Sequence, residues 1–231
     1  MDFQSVAFND VSRHFGRRRV LNQINFQCRA GEIVALLGSN GAGKSTLLGI
    51  ASTLLTPSSG RVGYGDCTSA PAADLRSRIG VLGHDLFIYP ELSAKENLAF
   101  FARLYGVRDV ERVVQSALER AGLEGRDDPA GRFSRGMRQR LALERALLHQ
   151  PRLVLLDEPF TGLDDAATSA LRARLIDLRD AGCIVLVATH DLETIDGVAD
   201  RAVLLHGGRL ISIEDGQEAL RERYRRATRE S

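Results

Sequence analysis

The chain contains 231 residues, of which 44% are hydrophobic and 26% are charged, and this composition can bury the core of one α/β domain. Its formal net charge of +1 leaves no overall field that would favour nucleic acid or an anionic membrane. The three cysteines are scattered, the N-terminus lacks a signal-peptide pattern and the apolar runs are too short to cross a bilayer, so we expect a soluble cytoplasmic chain.

Two segments near the start of the chain alternate apolar and polar residues. Residues 3–8 and 20–28 show this period of two, which is typical of half-solvated antiparallel strands. Residues 11–19 between them are predicted to form a loop that carries Phe15. The Phe15 ring could stack on a purine base or pack as an ordinary core or loop aromatic, and its local sequence favours the second role.

A glycine-rich segment follows the apolar residues 33–37 and precedes a helix-like segment. It has the spacing G-x-x-x-x-G-K-S of a phosphate-binding loop, in which backbone N–H groups converge on phosphate oxygens. We expect Lys44 to reach the β- and γ-phosphates and Ser45 to offer a hydroxyl to Mg²⁺. A simple surface turn is the alternative, but the flanking strand and helix favour a nucleoside triphosphate site. The predicted phosphate-binding residues are Gly38, Ser39, Asn40, Gly41, Ala42, Gly43, Lys44, Ser45 and Thr46.

The region after the loop is predicted to contain a helix and two strands. The helix covers residues 47–55 and ends at Pro57, because proline disfavours helical backbone in the residue before it. Residues 60–65 indicate a short strand, and residues 78–83 indicate another strand that ends at His84.

A helical region then separates two groups of strands. Apolar residues recur at helical spacing from residue 91 to 150, and we predict an inserted α-helical subdomain over about residues 86–150. The apolar residues 153–157 form the next predicted strand, which ends at Asp157 and is followed by Glu158.

The last third of the chain continues the alternation of helix and strand. Asp164 and Asp165 stand at the N-cap and in the first turn of a predicted helix, where negative charge suits the helix dipole. Residues 183–189 form a continuous apolar strand that ends before His190. Apolar runs between helices are typical of parallel strands that are covered on both faces.

The C-terminal region is predicted to contain a hairpin and a basic tail. Residues 203–211 form the hairpin, with Gly207 and Gly208 as its two-residue turn. Residues 215–231 are rich in arginine, and they could form a solvated helix or contact lipid headgroups or a partner.

Groups at the carboxyl ends of parallel strands should converge, because ligands bind at that edge of an α/β sheet. Asp157 and Ser45 suit Mg²⁺ coordination, and Glu158 suits the general base that orients a water molecule for attack on the γ-phosphorus. Asp157 and Glu158 could instead form a helix cap and a surface charge, but the upstream phosphate loop favours the catalytic interpretation. His190 could hydrogen-bond the γ-phosphate or be structural, and its place at a strand end favours function. We therefore predict Lys44, Glu158 and His190 as catalytic residues.

Taken in order, these motifs resemble those of the nucleotide-binding subunit of an ATP-binding cassette (ABC) transporter, over about residues 3–213. Residues 38–46 are similar to the Walker A motif, and residues 153–158 are similar to Walker B with the catalytic glutamate. Residues 160–164 resemble the D-loop, which includes Asp164 as a predicted nucleotide-binding residue. His190 matches the switch histidine.

The resemblance also assigns residues that local patterns leave open. Phe15 matches the aromatic residue that stacks on adenine. Residues 133–137 stand where the family has Leu-Ser-Gly-Gly-Gln; Ser134 and Gly136 are kept, whereas Arg135 adds a charge and Met137 removes an amide. In the family this segment binds the γ-phosphate of ATP held by a second subunit, so the resemblance implies a head-to-tail homodimer around two ATP molecules.

The Q-loop glutamine of the family is replaced here by His84, which could make similar hydrogen bonds. The resemblance implies one nucleotide-binding domain over residues 1–231, with a P-loop NTPase α/β fold. Its expected parts are a mostly parallel sheet, an N-terminal antiparallel β subdomain and the inserted α-helical subdomain. It further implies an ATPase with ATP and Mg²⁺ as cofactors.

The resemblance also implies separate transmembrane partners, which would hold the chain on the inner face of the cell membrane. No nucleic acid partner is expected. The short motifs at residues 82–84 and 156–164 most resemble the haem-exporter ATPases of cytochrome c maturation. A generic exporter of drugs, lipids or polysaccharide, and a soluble ABC ATPase that acts on nucleic acid, are the alternatives.

Overall fold

The structure is a computed structural model that describes residues 3–65 and 72–212; the predicted basic tail lies outside these ranges. Its strands are β1 Ser5–Phe15, β2 Arg18–Arg29, β3 Glu32–Leu37, β4 Ser59–Tyr64, β5 Ile79–Leu82, β6 Leu153–Asp157, β7 Ile184–Thr189, β8 Arg201–His206 and β9 Arg209–Ser212. Its helices are α1 Lys44–Ala51, α2 Ala72–Arg76, α3 Ala94–Leu104, α4 Val110–Ala121, α5 Arg135–Leu147, α6 Asp165–Asp180 and α7 Leu192–Ile195. None of the helices in the described ranges has the length and apolar composition needed to cross a membrane.

The central sheet contains six strands in the order β5-β6-β7-β3-β8-β9, and all neighbours are parallel except β8 and β9. Strands β6 and β7 are buried along their whole length, because one face packs on the cluster that includes Leu47 and the other on the cluster that includes Leu175. This confirms the predicted parallel strands with cover on both faces. The carboxyl ends of β3, β6 and β7 therefore lie side by side.

The N-terminal residues form a separate antiparallel sheet in the order β2-β1-β4, as predicted. The predicted loop over residues 11–19 is wrong, because β1 continues to Phe15 and only two residues separate it from β2. Register shifts between Phe8 and His14 break the period of two that the prediction relied on. Val11 is fully buried within this continued strand.

Helices α3, α4 and α5 occupy the region where inserted helices were predicted. They share an apolar cluster that includes Leu98, Leu118 and Leu141, which is distinct from the two clusters that cover the central sheet. Helix α3 begins at a capping box, in which the Ser93 hydroxyl accepts from the backbone N–H of Glu96 and the Glu96 carboxylate accepts from Ser93.

Helix α1 is shorter than predicted and ends at Ala51 rather than at residue 55. Thr53 has a left-handed φ of 62°, which stops the helix without a glycine or proline signal. The chain then folds back, so that the backbone N–H of Leu55 donates to the carbonyl of Gly49. The hairpin at Gly207 and Gly208 agrees with the prediction.

Candidate nucleotide-binding and catalytic site

The phosphate loop joins the end of β3 to the start of α1, as predicted. Gly41 and Gly43 have φ values of 79° and 107°, in the left-handed region where other residues are strained. A Cβ atom on Gly38 would lie 2.4 Å from the carbonyl oxygen of Leu205 on β8. The glycine spacing is thus required both by the turn and by its close contact with the sheet.

Strand β2 ties this loop to the hairpin between β8 and β9. A Cβ on Gly43 would lie 2.9 Å from the Leu21 side chain, and one on Gly208 would lie 2.5 Å from the carbonyl oxygen of Val20. The backbone N–H of Asn22 also donates to the Gly208 carbonyl over 2.7 Å. The antiparallel sheet is therefore held in close backbone contact with the phosphate loop.

The ammonium of Lys44 lies buried at the centre of the site. Its Nζ donates to the carbonyls of Gly38 at 2.7 Å and Ser39 at 3.4 Å. It also lies 3.5 Å from the Oε1 atom of Glu158, so the lysine pairs with the predicted catalytic carboxylate. The two groups that the sequence placed at different strand ends are in direct contact.

Asp157 lies at the buried end of β6 and interacts with Ser45 at the start of α1. Burial raises the pKa of the Asp157 carboxyl, the hydrogen bond with Ser45 opposes this rise, and the nearby Glu158 charge adds to it. A hydroxyl next to a carboxylate offers the hard oxygen ligands that Mg²⁺ prefers, and Mg²⁺ is usually held by few protein groups together with phosphates. The predicted metal residues therefore fit this ion.

Glu158 has a left-handed backbone with a φ of 50°, which is uncommon for a residue other than glycine. Its backbone N–H donates to the Ala188 carbonyl on β7 at 2.8 Å. The Thr189 hydroxyl donates to Oε2 at 3.1 Å, and Nδ1 of His190 lies 2.9 Å from Oε1. The end of β7 thus fixes the carboxylate, and Thr189 is a contact that the sequence patterns missed.

His190 is exposed, and it contacts the Oε1 atom of Glu158, which is the same oxygen that Lys44 contacts. His84 is also exposed, at the end of β5 beside β6. Among the described contacts His84 is linked to the site only through its charge, which acts on Asp157. The strand ends therefore bring His190 into contact with the predicted catalytic carboxylate, whereas no hydrogen bond joins His84 to the site among the described residues.

Phe15 is exposed at the end of β1, with 46% of its surface accessible. It therefore does not pack into the core, which was one part of the alternative of an ordinary core or loop aromatic, and its stacking on adenine stays a prediction. The guanidinium of Arg13 lies over the ring, with its carbon 4.6 Å from the ring centre. One face of the ring is thus covered by a cation.

The segment at the start of α5 is separate from this cluster. Ser134 caps α5, because its hydroxyl accepts from the backbone N–H of Met137 at 3.2 Å. Arg135 packs its side chain against Gly162, and a Cβ on Gly136 would lie 3.1 Å from the Gly162 carbonyl oxygen. In the described parts of the chain, no hydrogen bond or ion pair joins Ser134 or Arg135 to Lys44.

Asp164 follows Gly162 and caps α6, as predicted. Its Oδ1 accepts from the backbone N–H of Ala167 at 2.7 Å. The carboxylate is therefore committed to the helix in this structure, and its role as a nucleotide-binding residue stays a prediction.

A glycine loop leading into a helix, a buried lysine and a serine–aspartate pair at the strand ends define a P-loop nucleoside triphosphatase. The sequence pattern of the family described as ABC transporter matches residues 21–161, which is more than half of the chain. The ATP-binding protein NatA of Bacillus subtilis is 34% identical over 215 residues, which cover 89% of this chain and 87% of that protein.

Two further comparisons agree with this family. The Nod factor export ATP-binding protein I of Rhizobium etli is 37% identical over 216 residues, with coverage of 92% of this chain and 68% of that protein. A solved dimeric bacterial ABC transporter cassette is 25% identical, with a TM-score of 0.80 and coverage of 90% of this chain and 99% of that one. The chain belongs to the ABC transporter family as an ATP-binding subunit, and it is an ATPase. The names of these relatives give no support to the haem-export prediction.

Proposed function

We propose that the chain hydrolyses MgATP in a head-to-tail homodimer and thereby drives a separate transmembrane exporter. The observation that carries this proposal is the distribution of the site within one chain. Lys44, Glu158 and His190 are in contact at the strand ends. Ser134 caps a helix elsewhere and has no contact with them among the described residues.

Lys44, Asp157, Glu158 and His190 form what we call the strand-end cluster. This cluster can perform the chemistry of γ-phosphoryl hydrolysis. Lys44 can transfer its hydrogen bonds from the loop carbonyls and Glu158 to phosphate oxygens, which leaves the carboxylate available to a water molecule. Glu158 would orient that water and accept its proton, and Thr189 and His190 hold the carboxylate in place. Mg²⁺ bound by Ser45 and Asp157 would neutralise the charge on the β- and γ-phosphates.

The start of α5 supplies the second half of the proposed site. A helix N-terminus carries partial positive charge and free N–H groups, so it favours the γ-phosphate of an ATP held by another copy. Ser134 and Gly136 would present this end to the partner, and Phe15 would stack on the adenine within its own chain. A solved dimeric cassette among the similar structures supports this arrangement.

A cavity of about 460 Å³ beside the helical region is the proposed contact with the membrane partner. Its lining includes Leu54, Phe87 and Leu104, which are exposed by 62%, 58% and 69%. Tyr89 and Phe100 nearby are also exposed. Apolar residues grouped in this way mark interaction surfaces, so a transmembrane subunit docked here would hold the chain at the inner face of the membrane.

The cargo we propose is of the drug, lipid or polysaccharide class. The name of the relative that exports Nod factor supports an exporter. Haem stays a cargo prediction without support from the relatives. Purification of the native complex and identification of its membrane subunits would decide between these cargo classes.

Mixing of two inactive variants tests the head-to-tail dimer. In a mixed dimer of Lys44→Ala and Ser134→Arg chains, one site keeps both its Lys44 and the opposing Ser134. We expect the mixture to recover about a quarter of the wild-type ATPase rate, because about half of the dimers are mixed and each has one intact site. A mixture of Lys44→Ala and Glu158→Gln chains is the matched control and should stay inactive, since both residues belong to the same half. Equal recovery in both mixtures, or in neither, would contradict the proposed dimer.

A further inference from the structure

A second cavity, of about 320 Å³, lies between α5 and α6, and no residue of the phosphate loop lines it. Its apolar wall includes Leu82, Leu143 and Leu171, and Ala170 and Ala173 on α6 leave room at its mouth. This volume falls within the range of small-molecule sites, which start at about 300 Å³. We call it the α5–α6 cavity.

One wall of the α5–α6 cavity carries a buried charge network. The Glu144 carboxylate is only 3% exposed and accepts from Nε of Arg120 at 2.8 Å. Nε of Arg174 lies 3.8 Å from the other oxygen of Glu144, which is too far for a hydrogen bond. This Nε atom is buried and has no hydrogen-bond partner among the described residues. The Arg174 side chain as a whole is 28% exposed, so the terminal N–H groups of its guanidinium can donate to an incoming acceptor.

A second cation lines the same cavity. Nε of Arg140 donates to the carbonyl of Ala121 at 2.8 Å, and no carboxylate lies within ion-pair distance of its guanidinium in the described part of the chain. The lining contains three arginines, with Arg120 as the third, against the two carboxylates of Glu144 and Asp177. The charge balance therefore favours an anion.

We propose that the α5–α6 cavity binds a small amphipathic anion, with its apolar body on the leucine wall and its acidic head between Arg140 and Arg174. A carboxylate or sulfonate head supplies acceptors to both guanidinium groups, and such charge-assisted hydrogen bonds are the stronger ones in proteins. A neutral or cationic amphipath gains only the apolar contact. The proposal is independent of the dimer and of the cargo.

The position of the cavity links its occupant to the catalytic strand end. Gln139 lines the cavity and donates from Nε2 to the carbonyl of Pro159 at 3.2 Å. Pro159 directly follows Glu158, and Gln139 lies on the helix that Ser134 caps. An occupant thus contacts the residue that follows Glu158 and the helix that Ser134 caps, which is a suitable place for an effector.

Calorimetric titration of the full chain without nucleotide tests the proposal, with decanoate as the probe below its micellar range. Ala170→Phe fills the mouth of the cavity, and Arg140→Gln removes one cation of the head site. Ser169→Phe is the matched control, because Ser169 is exposed on the same helix but does not line the cavity. Circular dichroism verifies that each variant is folded.

We expect saturable binding of decanoate that Ala170→Phe abolishes and Arg140→Gln weakens by about tenfold, as for the loss of one charge-assisted hydrogen bond. Ser169→Phe should bind as the wild type does. Three results would overturn the proposal: no saturable binding, equal losses in Ser169→Phe and Ala170→Phe, or binding of decylammonium as tight as that of decanoate. If Ala170→Phe does not fold, Arg140→Gln decides, since unchanged decanoate affinity in that variant rejects the head site.

Discussion

The strand-end cluster and the start of α5 differ in how far a single chain completes them. Lys44 follows the end of β3, Asp157 and Glu158 lie at the end of β6, and these groups interact across the end of the intervening β7. Ser134 and Arg135 are exposed, and Ser134 bonds only to its own helix among the described residues. The first region is assembled by the fold, and the second is presented at the surface.

This difference has an electrostatic consequence. Charges act most strongly where protein excludes water, so the buried Lys44 and Asp157 are already placed in a medium of low effective dielectric. The dipole at the start of α5 is screened by solvent until another surface covers it. In the proposed dimer the first region would therefore hold the nucleotide, and the second would act on it only after association.

Glu158→Gln would break the strand-end cluster with the largest expected effect. The amide keeps the shape of the side chain but cannot accept a proton, so we expect the ATPase rate to fall by about 10²–10⁴-fold. ATP binding should persist, and ATP-dependent dimers should accumulate in size-exclusion chromatography. Glu111→Gln, on the exposed face of α4, serves as the control and should leave the rate unchanged. Full activity of Glu158→Gln would rule out Glu158 as the base.

Asp157→Asn separates the stability of the cluster from its chemistry. The raised pKa of Asp157 means that the charged carboxylate is less favourable in the folded chain than in the unfolded chain, so an uncharged amide should stabilise the nucleotide-free chain by on the order of 1 kcal/mol near neutral pH. The same change should abolish Mg²⁺-dependent hydrolysis, because a metal ligand loses its charge. Urea unfolding and ATPase assays at pH 7 measure the two effects.

The difference in the free energy of unfolding between Asp157→Asn and the wild type should depend on pH, and the sign of this dependence follows from the raised pKa. Between the ordinary Asp pKa of 3.8 and its raised value in the fold, the folded state binds more protons than the unfolded state. The stability contributed by Asp157 therefore falls as the pH rises through that window, and the gap between Asp157→Asn and the wild type should close on acidification. A gap that widened towards pH 4 would contradict the assignment.

Ser134→Ala tests the other region. Removal of the capping hydroxyl should destabilise the chain by about 1 kcal/mol, as at other helix N-caps. ATP-dependent dimerisation should weaken, whereas nucleotide binding to the isolated chain should not change. Ser93→Ala, which removes the cap of α3, is the matched control: it should lower stability similarly and leave dimerisation intact.

Arg135→Glu should give the smallest effect on stability and the sharpest separation of the two regions. A negative charge in the first turn suits the helix dipole, so the free energy of unfolding should rise by about 0.3–1 kcal/mol. The same charge would repel a γ-phosphate, so ATP-dependent dimerisation should weaken. Arg61→Glu, at an exposed position on strand β4, should change neither property in this way. A change of the same sign in both properties would contradict a phosphate-facing α5.

The ends of the buried strands were predictable from the sequence, whereas the contacts between their side chains were not. Continuous apolar runs end at Asp157 and Thr189, and this is enough to place the groups at one edge of the sheet. The contact of Thr189 with Glu158 depends on the left-handed backbone of Glu158, which has no residue-type signal. Patterns of hydrophobicity report burial, and they carry no information on such a turn.

Other differences have equally local causes. Bulges in β1 break the alternation of apolar and polar residues over residues 11–15, and this is why the sequence pattern predicted a loop where the structure has a strand. The stacking of Arg13 on Phe15 could have been predicted from the sequence, because residues two apart on a strand share a face. The α5–α6 cavity could not have been predicted from the sequence, because it depends on the relative placement of helices that are distant in sequence.

The close contact of Val20 and Leu21 with Gly43 and Gly208 has a consequence for substrate length. The same strand pair carries Phe15 at its far turn, so backbone contacts set the spacing between the aromatic ring and the phosphate loop. The length of a nucleotide that contacts both the Phe15 ring and the phosphate loop would have to match this fixed spacing. A ligand with one phosphate fewer would fall short of Glu158, and it would also lose the contacts that Lys44 and the start of α5 would make with the γ-phosphate.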